Sequence, residues 1–82
     1  MINNWVLYII ECRDGSLYTG ITTDLEKRLK SHGEGTASKY TRAKRPVKLA
    51  YKRSFRNESS ARKEEVRIKQ LLRRDKLELI KR

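Results

Sequence analysis

Cysteine is nearly absent from this chain. Cys12 stands alone, so an internal disulfide is impossible and the Cys/His spacing of a zinc site is missing. No apolar run approaches the roughly 20 residues that cross a bilayer. The start, Met1-Ile2-Asn3-Asn4-Trp5, lacks the basic region and small-residue cleavage site of a secretory leader, so a cytoplasmic protein is expected. Repeats, low-complexity tracts and linkers are lacking as well. An 82-residue chain that is 37% hydrophobic makes one small two-layer domain over residues 1–82, with no room for a second core.

Acids are missing from the middle of the chain. Between Glu34 and Glu58 there is none, yet eight bases occur: Lys39, Arg42, Lys44, Arg45, Lys48, Lys52, Arg53 and Arg56. Residues 1–34 carry four bases against five acids, and residues 58–82 nine against five. The net charge of +11 is therefore concentrated in one uninterrupted basic segment, which suits salt-sensitive, sequence-blind phosphate contacts. Lys39, Arg42, Lys44, Arg45 and Lys48 are its candidate nucleic-acid contacts; the alternative is a merely solvated surface. A membrane partner is not expected, because no strongly amphipathic basic helix carries a Trp/Phe face.

What is present is a pair of apolar strand-like runs, Trp5 to Cys12 and Ser16 to Thr22, separated by Asp14-Gly15. Two registers are open. A two-residue turn puts Tyr8 and Tyr18 on opposite faces of the hairpin. A three-residue loop with Gly15 left-handed pairs Cys12 with Ser16; Tyr8, Ile10, Tyr18 and Gly20 then share one face, and Leu7, Ile9, Leu17 and Ile21 the other. The second register segregates the aliphatics better and is preferred. Thr23-Asp24-Leu25-Glu26 fits a capping box opening a helix with Leu25 and Leu29 buried, ended by Gly33 and Gly35. Residues 36–46 read as a basic loop with room for one short turn. Val47, Leu49 and Tyr51 alternate with Lys48, Ala50 and Lys52 as a one-sided strand. Asn57 caps a helix running to about Leu72, with Ala61, Ile68, Leu71 and Leu72 as its apolar stripe. A short final helix spans Asp75 to Ile80, with Leu77 and Ile80 facing in. The order β-β-α-β-α-α predicts an α+β fold, a three-stranded antiparallel sheet packed with helices.

Several polar residues sit in telling places. Glu65 falls close to the centre of its helix's apolar stripe, where an acid is costly without a partner or a metal, although Glu64 flanks the same stripe and Lys69 at i+4 offers Glu65 a salt bridge. Tyr8 and Tyr18 read equally as half-buried packing residues, since a free phenol titrates near 10, too high for a base at neutral pH. Arg28 and His32 are i,i+4 neighbours, and each alone is an ordinary helix polar residue.

As an ordered series, these residues resemble the GIY-YIG nuclease superfamily, in particular its small standalone bacterial members of the UPF0213 kind. Leu7-Tyr8-Ile9 corresponds to the first signature and Tyr18-Thr19-Gly20 to the second, with Leu7 in place of glycine and Thr19 in place of isoleucine. The likeness continues through Asp24-Leu25-Glu26-Lys27-Arg28-Leu29, Lys39-Tyr40-Thr41-Arg42, Arg45-Pro46-Val47-Lys48-Leu49 and Glu65-Val66-Arg67-Ile68-Lys69. The resemblance implies an enzyme that hydrolyses phosphodiester bonds with one divalent cation, Mg²⁺ or Mn²⁺; an endonuclease is expected, with DNA favoured over RNA as the substrate. It implies catalytic roles for Tyr8, Tyr18, Arg28 and His32, metal binding by Glu65, and close approach at Gly20. Which group takes the proton from water stays open. No equivalent is identified for the asparagine that follows the core in the repair-type branch. With no separate DNA-binding module in the sequence, targeting falls to the basic segment or a protein partner. The alternatives are a catalytically weak nucleic-acid-binding module that keeps the fold and, on size and basicity only, a structural protein of a ribonucleoprotein.

Overall fold

The computed structural model describes residues 4–81; Met1, Ile2 and Asn3, on which the leader reading partly rests, lie outside this range. The elements are β1 (Trp5–Cys12), β2 (Leu17–Thr22), α1 (Leu25–Glu34), α2 (Lys39–Arg42), β3 (Val47–Phe55), α3 (Glu58–Lys69) and α4 (Arg73–Lys81). They form a three-stranded antiparallel sheet, ordered β2-β1-β3, with helices on both faces.

The hairpin takes the three-residue loop. Ile10 pairs with Tyr18 and Tyr8 with Gly20, while Gly15 adopts φ 85° and donates its N–H to the Cys12 carbonyl. This register gives each face of the sheet its own core. Leu7 and Ile9 pack with Ile68 of α3, with Leu17 and Ile21, and with Leu79 and Ile80 of α4. Tyr8, Ile10 and Cys12 pack with Tyr18, Leu25, Leu29 and Val47. Each fully buried aliphatic contributes about 1.5–3 kcal/mol, whereas a cross-strand pair contributes at most about 1 kcal/mol. Burial therefore sets the register, because a one-residue slip would exchange the faces of every β2 side chain.

Four local features differ from the sequence reading. The cap of α1 is Asp24, which accepts from the Lys27 N–H, and not Thr23; Thr22 occupies the Asp24 N–H instead. The basic loop contains a full short helix, α2, capped by Ser38. β3 is not one-sided, because the register shifts between Ile9 (paired with Tyr51) and Ile10 (paired with Leu49), leaving Ala50 as a bulge. The extra residue reverses the alternation, so Val47 joins the Tyr8 core and Tyr51 the Leu7 core. Finally, α3 stops at Lys69 and α4 begins at Arg73, so Leu72 falls in the joint and is 65% exposed. Among the described residues no helix is long and apolar enough to cross a membrane.

Candidate active site

Tyr8 lies on the central strand, directly across from Gly20 on β2. Its ring covers the glycine so closely that a Cβ at residue 20 would stand 2.5 Å from the phenol oxygen and 2.7 Å from Cζ. The ring points into the layer formed by α1 and α2, where the phenol oxygen meets Nε2 of His32 at 3.1 Å. His32 occupies the last turn of α1 and is fully buried. Its Nδ1 lies 2.8 Å from Oγ1 of Thr41 on α2, which is also fully buried.

Tyr18 shares this side of the sheet. Its ring meets His32 edge-on at 5.2 Å between centroids and stacks on Tyr40 at 6.0 Å. The Lys44 ammonium sits 4.0 Å from the Tyr40 centroid and 3.3 Å from Asp14 in the hairpin loop. Hydrogen bonding with Ser16, then with Lys44, holds the Tyr40 phenol below its usual value, and Asp14, bonded by Ser16, is held down at about 2. One turn before His32, the exposed Arg28 lines an open cleft of about 530 Å³ together with Lys27 and Thr36.

The electrostatics bind these groups into one centre. Burial pushes the Tyr8 phenol up to about 12; Tyr18 and Glu65 add to the rise and Arg28 opposes it. Burial, then Arg28, pushes His32 below its ordinary 6.5. Neutral imidazole is thus the resting form, and Tyr8 is a phenol that cannot ionise alone near neutrality. Stability follows from the His32 shift. Between its folded value and about 6.5 the unfolded chain binds a proton that the folded chain does not, so stability rises with pH across that window. Melting temperature is expected to drop on acidification from pH 7 into this window, above the range where the carboxylates titrate. An unchanged melting temperature there would contradict a buried neutral His32.

Glu65 stands apart from direct contact. It lies on α3, which packs through Ala61 and Ile68 on the opposite, Leu7 face of the sheet. Its side chain is only 14% exposed; Lys69 meets its Oε2 at 3.2 Å, and its charge adds slightly to the rise of the Tyr8 phenol. Glu64 is differently engaged: Arg67 grips both of its oxygens and Arg53 adds a third contact at 3.3 Å, so its carboxyl is held below the usual range. Of the two neighbouring acids, Glu65 is the one with a single ion-pair partner among the described residues. Among the described residues no three His, Cys, Asp or Glu side chains cluster as a complete metal cage. Mg²⁺ does not require one, because it retains several waters and takes one or two carboxylates plus substrate phosphate. Glu65 offers one carboxylate of the donor type such an ion takes, with Oε2 shared with Lys69.

The structure thus brings Tyr8, Tyr18, His32 and Gly20 together and sets Arg28 one turn before His32 on α1, whereas Glu65 lies on α3 and makes its ion pair with Lys69. Tyr40 and Thr41 fall in a stretch that carries the family resemblance, but nothing in the sequence assigns either a role in this centre. The available signal was slight: Ser38 three residues before Thr41 marks a helix start, but nothing local reveals a buried threonine in a basic stretch.

The sequence pattern of the GIY-YIG catalytic domain matches residues 4–78. The chain belongs to the GIY-YIG family. It is 49% identical to UPF0213 protein RBAM_000440 of Bacillus velezensis over 78 residues, covering 95% of this chain and 79% of that protein. It is 53% identical to UPF0213 protein OB0043 of Oceanobacillus iheyensis over 74 residues, covering 90% and 86%. The solution NMR structure of protein EF2693 from E. faecalis superposes with a TM-score of 0.66 at 39% identity, covering 99% of this chain and 88% of that one. UPF0213 protein BH0048 of Bacillus halodurans gives 0.63 at 42% identity, covering 95% and 83%. The GIY-YIG domain carries a nuclease-type fold, for which nucleic acid is the implied substrate, and nucleases of this family generally depend on a divalent metal.

Proposed function

We propose that this GIY-YIG domain is an endonuclease that hydrolyses phosphodiester bonds of DNA with Mg²⁺ or Mn²⁺ held at Glu65. The observation that carries the reading is the 3.1 Å contact between the Tyr8 hydroxyl and a buried, neutral His32, one helical turn after the Arg28 that lines the open cleft. A phenol pushed to about 12 does not accept a proton from water unless it gives up its own at the same moment. Nε2 of His32 is the acceptor within reach. The attacking water loses its proton to the Tyr8 oxygen, and the Tyr8 proton passes to Nε2. The hydroxide then attacks phosphorus and the P–O bond to the leaving oxygen breaks, with solvent protonating that oxygen. Tyr18, only half-buried, orients the water. Arg28 remains charged and stabilises the charge growing on the phosphate. When bound, the cation supplies Lewis-acid polarisation of the phosphoryl oxygen and charge stabilisation at the leaving oxygen.

The basic segment divides by its pairing. Lys44 is met by Asp14 at 3.3 Å and Lys48 by Glu11 at 3.1 Å, so their charges are partly compensated. Lys39, Arg42 and Arg45 instead line an open cleft of about 580 Å³ beyond Thr36, with Glu34 as its only acid. That cleft adjoins the Arg28 cleft through Thr36 and Ala37, and together they form the path we assign to the phosphate backbone. Replacing Lys39, Arg42 and Arg45 by Ala is expected to weaken duplex binding and to lower the salt slope by roughly 0.9 for each phosphate that is no longer neutralised. The Lys44/Lys48 double variant is expected to change the slope less; the reverse ranking would move the path to the hairpin side. The activity itself is tested by a panel of single-stranded, duplex, flap and branched DNA plus RNA, with and without Mg²⁺. Binding without cleavage of any of them would reduce the protein to a nucleic-acid-binding module.

A further inference from the structure

The relay needs more than a neutral His32. The imidazole proton must sit on Nδ1, because only a bare Nε2 can receive the proton of Tyr8. Two tautomers satisfy the distances, and counting protons separates them. With the proton on Nδ1, Tyr8 donates to Nε2 at 3.1 Å, Nδ1 donates to Thr41 Oγ1 at 2.8 Å, and the Thr41 hydroxyl donates to the Ser38 carbonyl at 3.4 Å. All three hydrogens then have acceptors. With the proton on Nε2, the imidazole donates to the Tyr8 oxygen and Thr41 donates to Nδ1. The Tyr8 hydrogen then has no acceptor among the described residues and is left to solvent at the small exposed part of a side chain that is 2% exposed. A hydroxyl that loses its protein acceptor costs up to about 1–3 kcal/mol, and the Nε2 arrangement gives up the Thr41–Ser38 contact as well, so both losses fall on the same tautomer.

We infer that Thr41 is a positioning residue: its hydroxyl, turned toward the Ser38 carbonyl at the start of α2, accepts from His32 and holds the imidazole proton on Nδ1, leaving Nε2 to serve Tyr8. The α2 turn then has a purpose beyond spanning the basic segment. Ser38 caps it with its side chain on the Tyr40 N–H while its carbonyl faces Thr41, so one residue both starts the helix and orients the hydroxyl. The inference rests on the relay reading for its consequence in catalysis, but the tautomer is a property of the free protein.

His32 is the only histidine in the chain, so its ring nitrogens give unambiguous ¹⁵N NMR signals in the full-length labelled protein. The wild type is expected to show a protonated Nδ1 and an unprotonated Nε2 at neutral pH. Thr41→Val, which keeps the shape and removes the acceptor, is expected to move the proton to Nε2 and lower kcat by about 10–100-fold with KM little changed. Thr41→Ser is expected to restore both the signals and kcat. A wild-type proton on Nε2 overturns the inference whatever the variants do, and so does a folded Thr41→Val protein with unchanged nitrogen signals. A wild type that shows the Nδ1 tautomer and a folded Thr41→Val protein that loses it, with no cleavage by the wild type, would uphold Thr41 as the residue that sets it and dismiss the nuclease reading instead.

Discussion

Glu65→Ala is expected to lose Mg²⁺-dependent nicking by on the order of 10²–10³-fold while retaining salt-sensitive DNA binding. The size follows from the several kcal/mol that a metal contributes to a phosphoryl transition state, at about 1.36 kcal/mol for each factor of ten. Binding is spared because the cations of the assigned path, Lys39, Arg42 and Arg45, lie with α2 and the loop after it. The informative control is Glu64→Ala. Glu64 is as shielded as Glu65, yet it is committed to Arg53 and Arg67, so its loss should lower stability and leave the metal requirement intact. If both variants cleave like the wild type, α3 serves only to cover the Leu7 core, and Glu65 is simply the partner of Lys69. Side-by-side cleavage assays over a Mg²⁺ titration, with melting curves for each variant, separate these cases.

Gly20→Ala should damage both fold and chemistry through one added methyl group. The new Cβ would stand within 2.7 Å of two Tyr8 atoms, distances that Cβ atoms essentially never show. Tyr8 cannot move aside cheaply, since its ring packs with Ile10, Cys12, Tyr18, Leu25 and Leu29 and its hydroxyl is held by His32. Overpacking of this kind costs about 1–3 kcal/mol. Any relief comes from tilting the ring and lengthening the contact to Nε2, and a shift of about 1 Å in such a group can cost about 10²-fold in rate. Both losses should therefore appear together, with DNA affinity little altered. An alanine variant with wild-type melting and turnover would mean that Tyr8 has room to relocate and that its hydroxyl position is not critical.

Much of this architecture could be read along the chain. The segregation of Leu7, Ile9, Leu17 and Ile21 from Tyr8, Ile10, Tyr18 and Gly20 chose the hairpin register, because alternation in a strand maps directly onto faces. Asn57 announced α3, and its side chain accepts from the Ser60 N–H. The bulge at Ala50 was not readable: an extra residue in one strand is defined only against its partner, and Val47, Leu49 and Tyr51 alternate perfectly on paper. Leu72 looked like one more turn of an apolar stripe, and only the break before α4 turns it to solvent.

The residue types and their order, two tyrosines ten apart on a hairpin, an Arg/His pair on the next helix and an acid on a later one, were determined by the sequence, and with them the family and the three-stranded sheet. The tertiary structure decided which groups touch. It set His32 between Tyr8 and Thr41, left Glu65 paired with Lys69 and out of contact with Tyr8, and matched Lys44 and Lys48 with acids far away in the chain. The reason is range: periodicity and capping act within a few residues, whereas a hydrogen bond between residues 8 and 32, or an ion pair between 14 and 44, exists only once burial has folded the sheet and brought its helices against it.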